Sequence, residues 1–351
     1  MLQDRLSSSL EEFETNLGKL PSTILGRRIK IYSLLVLCLG YEKVHFDSNL
    51  REDPGETLLR LVNEATDTLS GLKKLLEVEN IDSQPGKNKF LEENDQEEKH
   101  QNLFQVIWGK YNESEFQTYI ERYHYRIKVN NLEKFIKDKN CIDFGCGNGA
   151  FCFALHDFGA KSVVGIDFGE ENILYAKKIA EIRNVSDQVK FKHASVYDTG
   201  YPNENFDFAI QNGVFHHLND PLKANREVYR ILSKGGHFWS YVNGAGSMLS
   251  NLFDMAVRLT PDISSEEIFD TLTDLNIITG KKAFLTDAFK ASYTYTTETE
   301  FHEELRSIGF GDFQRLTGGF PEDYDLDKVN SDPYGKIKFG EGNLRILSRK
   351  M

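Results

Sequence analysis

The sequence predicts an α/β protein in which a parallel sheet covered by helices occupies about residues 102–351, behind a small helical unit. Three observations predict it. From about residue 139 short apolar runs alternate with amphipathic segments, the pattern of successive βαβ units. The first of those runs leads into "CIDFGCGNGAF" at 141–151, where Gly145, Gly147 and Gly149 make a loop that opens a helix. Residues 4–18 and 55–77 instead repeat apolar residues at helical spacing and carry no chemistry-bearing motif.

Taken in order, the helices 4–18 and 55–77 are separated by "IYSLLVLCLGYEKVHF" at 31–46, an apolar stretch without a deciding period, and by a polar break at "DSNLREDPGE". Residues 80–101 are acid-rich and poor in apolar side chains, a composition that cannot bury enough surface to order itself. The expected organisation is therefore a helical N-terminal unit at 1–80, an acidic linker at 81–101 and a second domain at 102–351. Two aromatic-rich helices then lead to a strand at 139–144. Strand 162–168, helix 170–183, strand 189–196, strand 206–213, helix 221–233 and strand 237–242 follow. A mainly helical insertion spans about 243–297, helix 297–308 ends at Gly309, and strands in "DFQRLTG" and "NLRILSRK" flank a long polar connection at 318–342.

Composition excludes several classes. The formal net charge is −12 and no basic stripe exceeds "GRRIK" at 26–30, which argues against nucleic acid and anionic membrane as partners. The N-terminus lacks the basic and apolar regions of a signal peptide, and no run approaches the roughly 18 apolar residues of a membrane span; the expected location is cytoplasmic. The four cysteines, Cys38, Cys141, Cys146 and Cys152, have no metal-ligand spacing, so no metal site is expected.

A glycine loop between a strand and a helix lets a ligand approach the backbone and meets it with the free N–H groups of the helix start. Gly145, Gly147 and Ala150 also satisfy the dinucleotide pattern G-x-G-x-x-G/A, so a nicotinamide or flavin ligand is one alternative. Asp143, two residues ahead of the first glycine, suits a cationic ligand better than a pyrophosphate. Asp167 closes the second strand 22 residues after Gly145, where an acid accepts from ribose hydroxyls in either case.

"CIDFGCGNGAF", "VVGIDFGEENILYAKK" and "ASVYDTGYPNENFDFAIQNGVFHHLNDPLKANREVYRILSKGGHFWSYV" together resemble the class I S-adenosylmethionine-dependent methyltransferases over about residues 105–245. The resemblance implies a Rossmann-like doubly wound sheet of seven strands in the order 3-2-1-4-5-7-6, the last strand antiparallel, with S-adenosyl-L-methionine as cofactor. It implies that Asp143, Gly145, Cys146, Gly147, Asn148 and Gly149 hold the methionine part, that Asp167 takes the ribose and that Phe168 packs near the adenine. Ser195 and Val196 stand where many relatives carry an adenine-binding acid, and the backbone of Asn212 and Gly213 lies close to the methionine.

Methyl transfer is an in-line displacement, and a hydroxyl or ammonium acceptor must lose a proton to a base. His216 and His217 follow the fourth strand at the ligand-binding edge and are the catalytic candidates; His124 is a further one. Tyr123, Arg126, Tyr293, Tyr295, Tyr334, Lys336 and Lys338 are candidates for binding the acceptor, the lysines suiting a carboxylate or phosphate. The expected activity is methyl transfer to an oxygen or nitrogen of a small molecule, such as a sugar, a lipid precursor or a specialised metabolite. Protein, peptide or sulfur methylation and a cofactor-binding scaffold are the alternatives. Two roles stand open for the N-terminal helices, homodimer formation and closure over the acceptor.

Overall fold

The structure, a computed structural model, describes residues 2–47, 49–79, 113–291, 293–320 and 323–351. The expected acidic linker at 81–101 and the first residues of the second domain lie outside the described residues. Contacts divide the chain into two compact units. One comprises, as far as they are described, Met1–Asp95, Gly246–Ser292 and Val329–Gly340; the other comprises Gln96–Ala245, Tyr293–Lys328 and Glu341–Met351.

The second unit is built on a seven-stranded sheet: β1 (Asn140–Phe144), β2 (Ser162–Asp167), β3 (Val189–His193), β4 (Phe206–Asn212), β5 (Leu232–Asn243), β6 (Phe310–Arg315) and β7 (Asn343–Lys350). Their order is β3-β2-β1-β4-β5-β7-β6, with β1 to β5 parallel and β7 antiparallel to both of its neighbours. Side-chain alternation supplies both faces with core residues. Cys141, Phe208, Ile210 and Trp239 enter the core on one side, while Ile142, Phe144, Ala209 and Phe238 enter that on the other. Strand β5 begins five residues earlier than the sequence suggested, because Leu232 pairs with Phe206 ahead of a bulge.

Helix Glu298–Ile308 starts on a complete capping box between Thr297 and Glu300 and ends at Gly309 in the left-handed conformation, as the sequence indicates. Strand β3 stops at His193, so Ser195 and Val196 lie in the turn beyond it.

The helical unit packs Leu2–Gly18, Ile24–Phe46 and Pro54–Glu79 with the inserted helices Met248–Leu259, Ser265–Asp274 and Thr279–Lys290 around one apolar core. The stretch at 31–46 that lacked a deciding period is helical, and its exposed stripe carries Tyr32, Val36 and Phe46, so no polar face marks its period. Arg27 pairs with Glu267 and Lys30 with Asp262, tying the insertion to the N-terminal helices by charge as well as packing. Among the described residues no helix is long and apolar enough to cross a membrane.

Candidate active site

One cavity of about 310 Å³ opens at the carboxyl ends of β1, β2 and β4 within the sheet unit. The loop after β1 forms its floor. The N–H groups of Gly145 and Cys146 both donate to the carbonyl of Ile166 (2.8 and 2.9 Å), which turns the chain sharply off the strand. At Gly145, φ is +71° and an added Cβ would lie 2.5 Å from a Val214 methyl, so only glycine fits there without displacing its neighbour. Gly149, at φ +84°, opens helix Ala150–Asp157, and a Cβ on it would meet the Phe191 ring at 2.7 Å. That glycine serves helix packing and does not line the cavity.

The cavity brings together Asp143, Gly145, Cys146, Gly147, Asn148, Asp167, Phe168, Ser195, Val196, Asn212, Gly213, Tyr123 and His217. Of the groups singled out from sequence for the cofactor, Gly149 alone falls outside it. The cavity also contains Asn172, Tyr197 and Val214, which no sequence motif marked.

Its two acids differ. Asp143 is buried, and Oδ2 accepts a hydrogen bond from the Cys152 thiol at 3.5 Å. Burial, with a smaller contribution from the charge of Asp167 and against the bond from Cys152, pushes its carboxyl up to about 8. Asp167 accepts from the N–H groups of Gly147 and Gly169 (2.8 Å each) and from the Asn172 amide (3.2 Å). Burial still outweighs those bonds and raises its carboxyl above the usual range. Asn148 takes the N–H of Ala150 on Oδ1, while its buried Nδ2 has no hydrogen-bond partner; Asn212 Oδ1 is equally unsatisfied. A cavity wall that holds a buried carboxylate, an unpaired amide donor and an unpaired amide acceptor fits a ligand with a cation and further polar groups. S-adenosylmethionine has that donor and acceptor set.

The two histidines part company. His216 Nδ1 accepts from the N–H of Asn243 (3.1 Å), so in the neutral ring the proton sits on Nε2. Its carbonyl takes hydrogen bonds from both the N–H and the hydroxyl of Thr294 (2.7 and 3.1 Å). His217 faces the cavity instead, its ring 4.5 Å from that of Tyr293, which in turn lies 6.0 Å from Tyr295. Neither tyrosine lines the cavity. His124 is engaged by Asp157 away from it.

Several expected acceptor contacts have internal duties. Arg126 is buried and donates to Asp323 and to the Gly318 carbonyl, and Arg345 shares the same Asp323. Although burial raises it, the Asp323 carboxyl is held below the usual range by these two guanidinium groups. Lys338 is completely buried in the helical unit, where its ammonium donates to Asp332 (2.7 Å) and the Asp47 carbonyl (2.6 Å). An ammonium buried against its own carboxylate in this way is not presented to an acceptor anion. Tyr334 directly precedes the short helix Gly335–Phe339 of the same unit, on which Lys336 is exposed. All four cysteines are buried and free, and no metal-binding cluster exists among the described residues.

Residues 142–240 match the protein family described as methyltransferase domain. The chain carries a class I S-adenosylmethionine-dependent methyltransferase domain. Curated relatives of this domain include a tRNA U34 carboxymethyltransferase of Campylobacter fetus, 36% identical over 31% of this chain and 39% of its own. A protein-lysine N-methyltransferase of Saccharomyces cerevisiae is 30% identical over 31% of this chain and 54% of its own. Ajmaline N-methyltransferase of Rauvolfia serpentina is 29% identical over 28% and 34%. The chain thus aligns with well under two thirds of each relative.

The first of these names corrects one expectation. A partner set of a small-molecule acceptor and no nucleic acid does not stand when relatives of this domain are named for tRNA. The net charge of −12 is summed over both units, whereas binding is decided by the local surface, so the charge argument excluded too much.

Proposed function

We propose that this protein is an S-adenosylmethionine-dependent methyltransferase acting on an oxygen or nitrogen nucleophile presented to His217. The observation that carries this reading is the single cavity that collects Asp143, the glycine loop, Asp167 and His217 at the carboxyl edge of the sheet. S-adenosylmethionine, when bound, supplies a methyl group on a sulfonium, activated for displacement.

In this reading Asp143 holds the ammonium end, and Asn148 Nδ2 and Asn212 Oδ1 complete the polar contacts of the methionine part. Asp167 takes the ribose hydroxyls, with Asn172 and the Gly169 N–H keeping its carboxylate in place. Phe168, 54% exposed at the rim, packs on the adenine beside Ser195 and Val196. His217 accepts the acceptor's proton. His216 does not, because protonating Nδ1 would break its bond from Asn243. Tyr293 backs the His217 ring.

The names of the relatives divide over the acceptor, among tRNA, protein lysine and ajmaline. Of these three, the tRNA enzyme is the most similar, so RNA is the first pool to test. The full chain, incubated with methyl-labelled S-adenosylmethionine and total tRNA or total protein, is expected to transfer label, and both Asp143→Asn and His217→Ala to abolish transfer. Absence of S-adenosylmethionine binding by calorimetry would sink the reading.

A further inference from the structure

Gln211, the last residue but one of β4, is completely buried. Its side-chain oxygen accepts from the N–H groups of Val214 (3.1 Å) and Phe215 (3.3 Å), and its amide nitrogen donates to the Tyr241 carbonyl on β5 (3.0 Å). The first two bonds fold the chain back on itself beyond the strand. The third fastens that turn to the neighbouring strand, where the Gly213 N–H also reaches the Tyr241 carbonyl (3.2 Å).

Three residues of this turn, Gly213, Val214 and His217, line the cavity. The turn also packs tightly from behind: a Cβ on Gly213 would lie 3.2 Å from the Tyr241 ring, and φ there is +80°. That ring is fixed in its own right by the Arg345 guanidinium 4.4 Å above it. One uncharged side chain therefore connects the end of β4, the end of β5 and the His217 turn.

We propose that Gln211 is a positioning residue of the methyl-transfer site, setting the path of the turn that offers Gly213 and Val214 to the cofactor and His217 to the acceptor. The proposal rests on the cavity being the cofactor and acceptor site. An apolar side chain of the same length would leave the Val214 and Phe215 N–H groups buried without their acceptor, so the turn must re-form to satisfy them.

The test uses the full chain, S-adenosylhomocysteine binding by calorimetry and the His217 ring signal by NMR, assigned with His217→Ala. Gln211→Met is expected to weaken S-adenosylhomocysteine about tenfold and to move the His217 titration midpoint. Ser240→Ala, which loses only a buried hydroxyl bond to the Ile346 carbonyl on the adjacent strand, should lower thermal stability and leave both readouts unchanged. Gln211→Glu offers a rescue, since a protonated carboxyl can donate to Tyr241 and accept from the turn. Its affinity relative to wild type should match at pH 6 and fall at pH 8.

Wild-type affinity and an unmoved His217 titration in Gln211→Met would overturn the proposal. If that variant does not fold, a Gln211→Glu to wild-type ratio that is flat with pH would do so. Failure of the wild type to bind S-adenosylhomocysteine would instead remove the cofactor reading, and this proposal with it.

Discussion

Asp143 in the glycine-loop region and Lys338 in the segment 329–340 are both buried ionisable side chains, yet their surroundings are opposite. Lys338 has the carboxylate of Asp332 and a backbone carbonyl within 2.7 Å. Asp143 has a thiol, a second acid in its vicinity and an open cavity in front of it. A buried ionisable group paired with an opposite charge is satisfied by the fold, whereas one that lacks an opposite charge leaves room for a ligand to supply it. The same contrast separates Arg126, locked on Asp323, from the unsatisfied amides of Asn148 and Asn212.

The largest effect that would sharpen this contrast is on stability. Lys338→Ala leaves Asp332 buried without its cation and should cost about 3–5 kcal/mol in denaturant unfolding, while S-adenosylhomocysteine affinity stays within about twofold. A large loss of affinity with little loss of stability would place Lys338 on the ligand instead. Asp143→Asn should do the reverse, weakening S-adenosylmethionine about 100-fold, or about 2.7 kcal/mol, without destabilising the apoprotein.

Proton linkage tests the same carboxyl. Asp143 is held at about 8 in the folded chain against an ordinary 3.8, so between those values the folded state keeps a proton that the unfolded state has released. Its contribution to apoprotein stability therefore falls as pH rises through that window. A cationic ligand needs the ionised form, so S-adenosylmethionine affinity should climb between pH 6 and 8, approaching about tenfold per pH unit, with proton release on binding. A flat profile, read in buffers of different ionisation enthalpy, would break the assignment.

Gly145→Ala drives a Cβ against Val214 and should cost about 1–3 kcal/mol of stability together with a loss of cofactor affinity. The smallest expected change is at the rim: Phe168→Ala, removing a half-exposed ring, should weaken the cofactor by about 1 kcal/mol or less and leave melting unaffected.

The alternation of apolar runs around residues 139–242 made the strands legible, because a strand buried on both faces has few other spellings. The glycine loop was legible for a similar reason, since positive φ at Gly145 and close approach at Gly149 leave no other residue type. Gly149 nevertheless differs from its neighbours in the same spacing: Gly145 and Gly147 line the cavity, whereas Gly149 serves helix packing. The acceptor side was read poorly from sequence. Arg126, Tyr334 and Lys338 look like ligand groups in a polar connection, and nothing local reveals that Asp323 and Asp332 fold back to meet two of them. Asn172, Tyr197 and Gln211 left no signal, because no local motif marks them and their partners or place in the cavity depend on how the sheet brings distant segments together.

By itself, the sequence determined the sheet, the glycine loop after its first strand and the acids Asp143 and Asp167 beside it, all local consequences of backbone geometry and side-chain periodicity. Only the tertiary structure decided which charges stay available and which histidine faces the cavity. Those outcomes depend on partners far apart in the chain, such as Asn243 on His216 and Asp323 on Arg126, whose meeting no short spacing encodes.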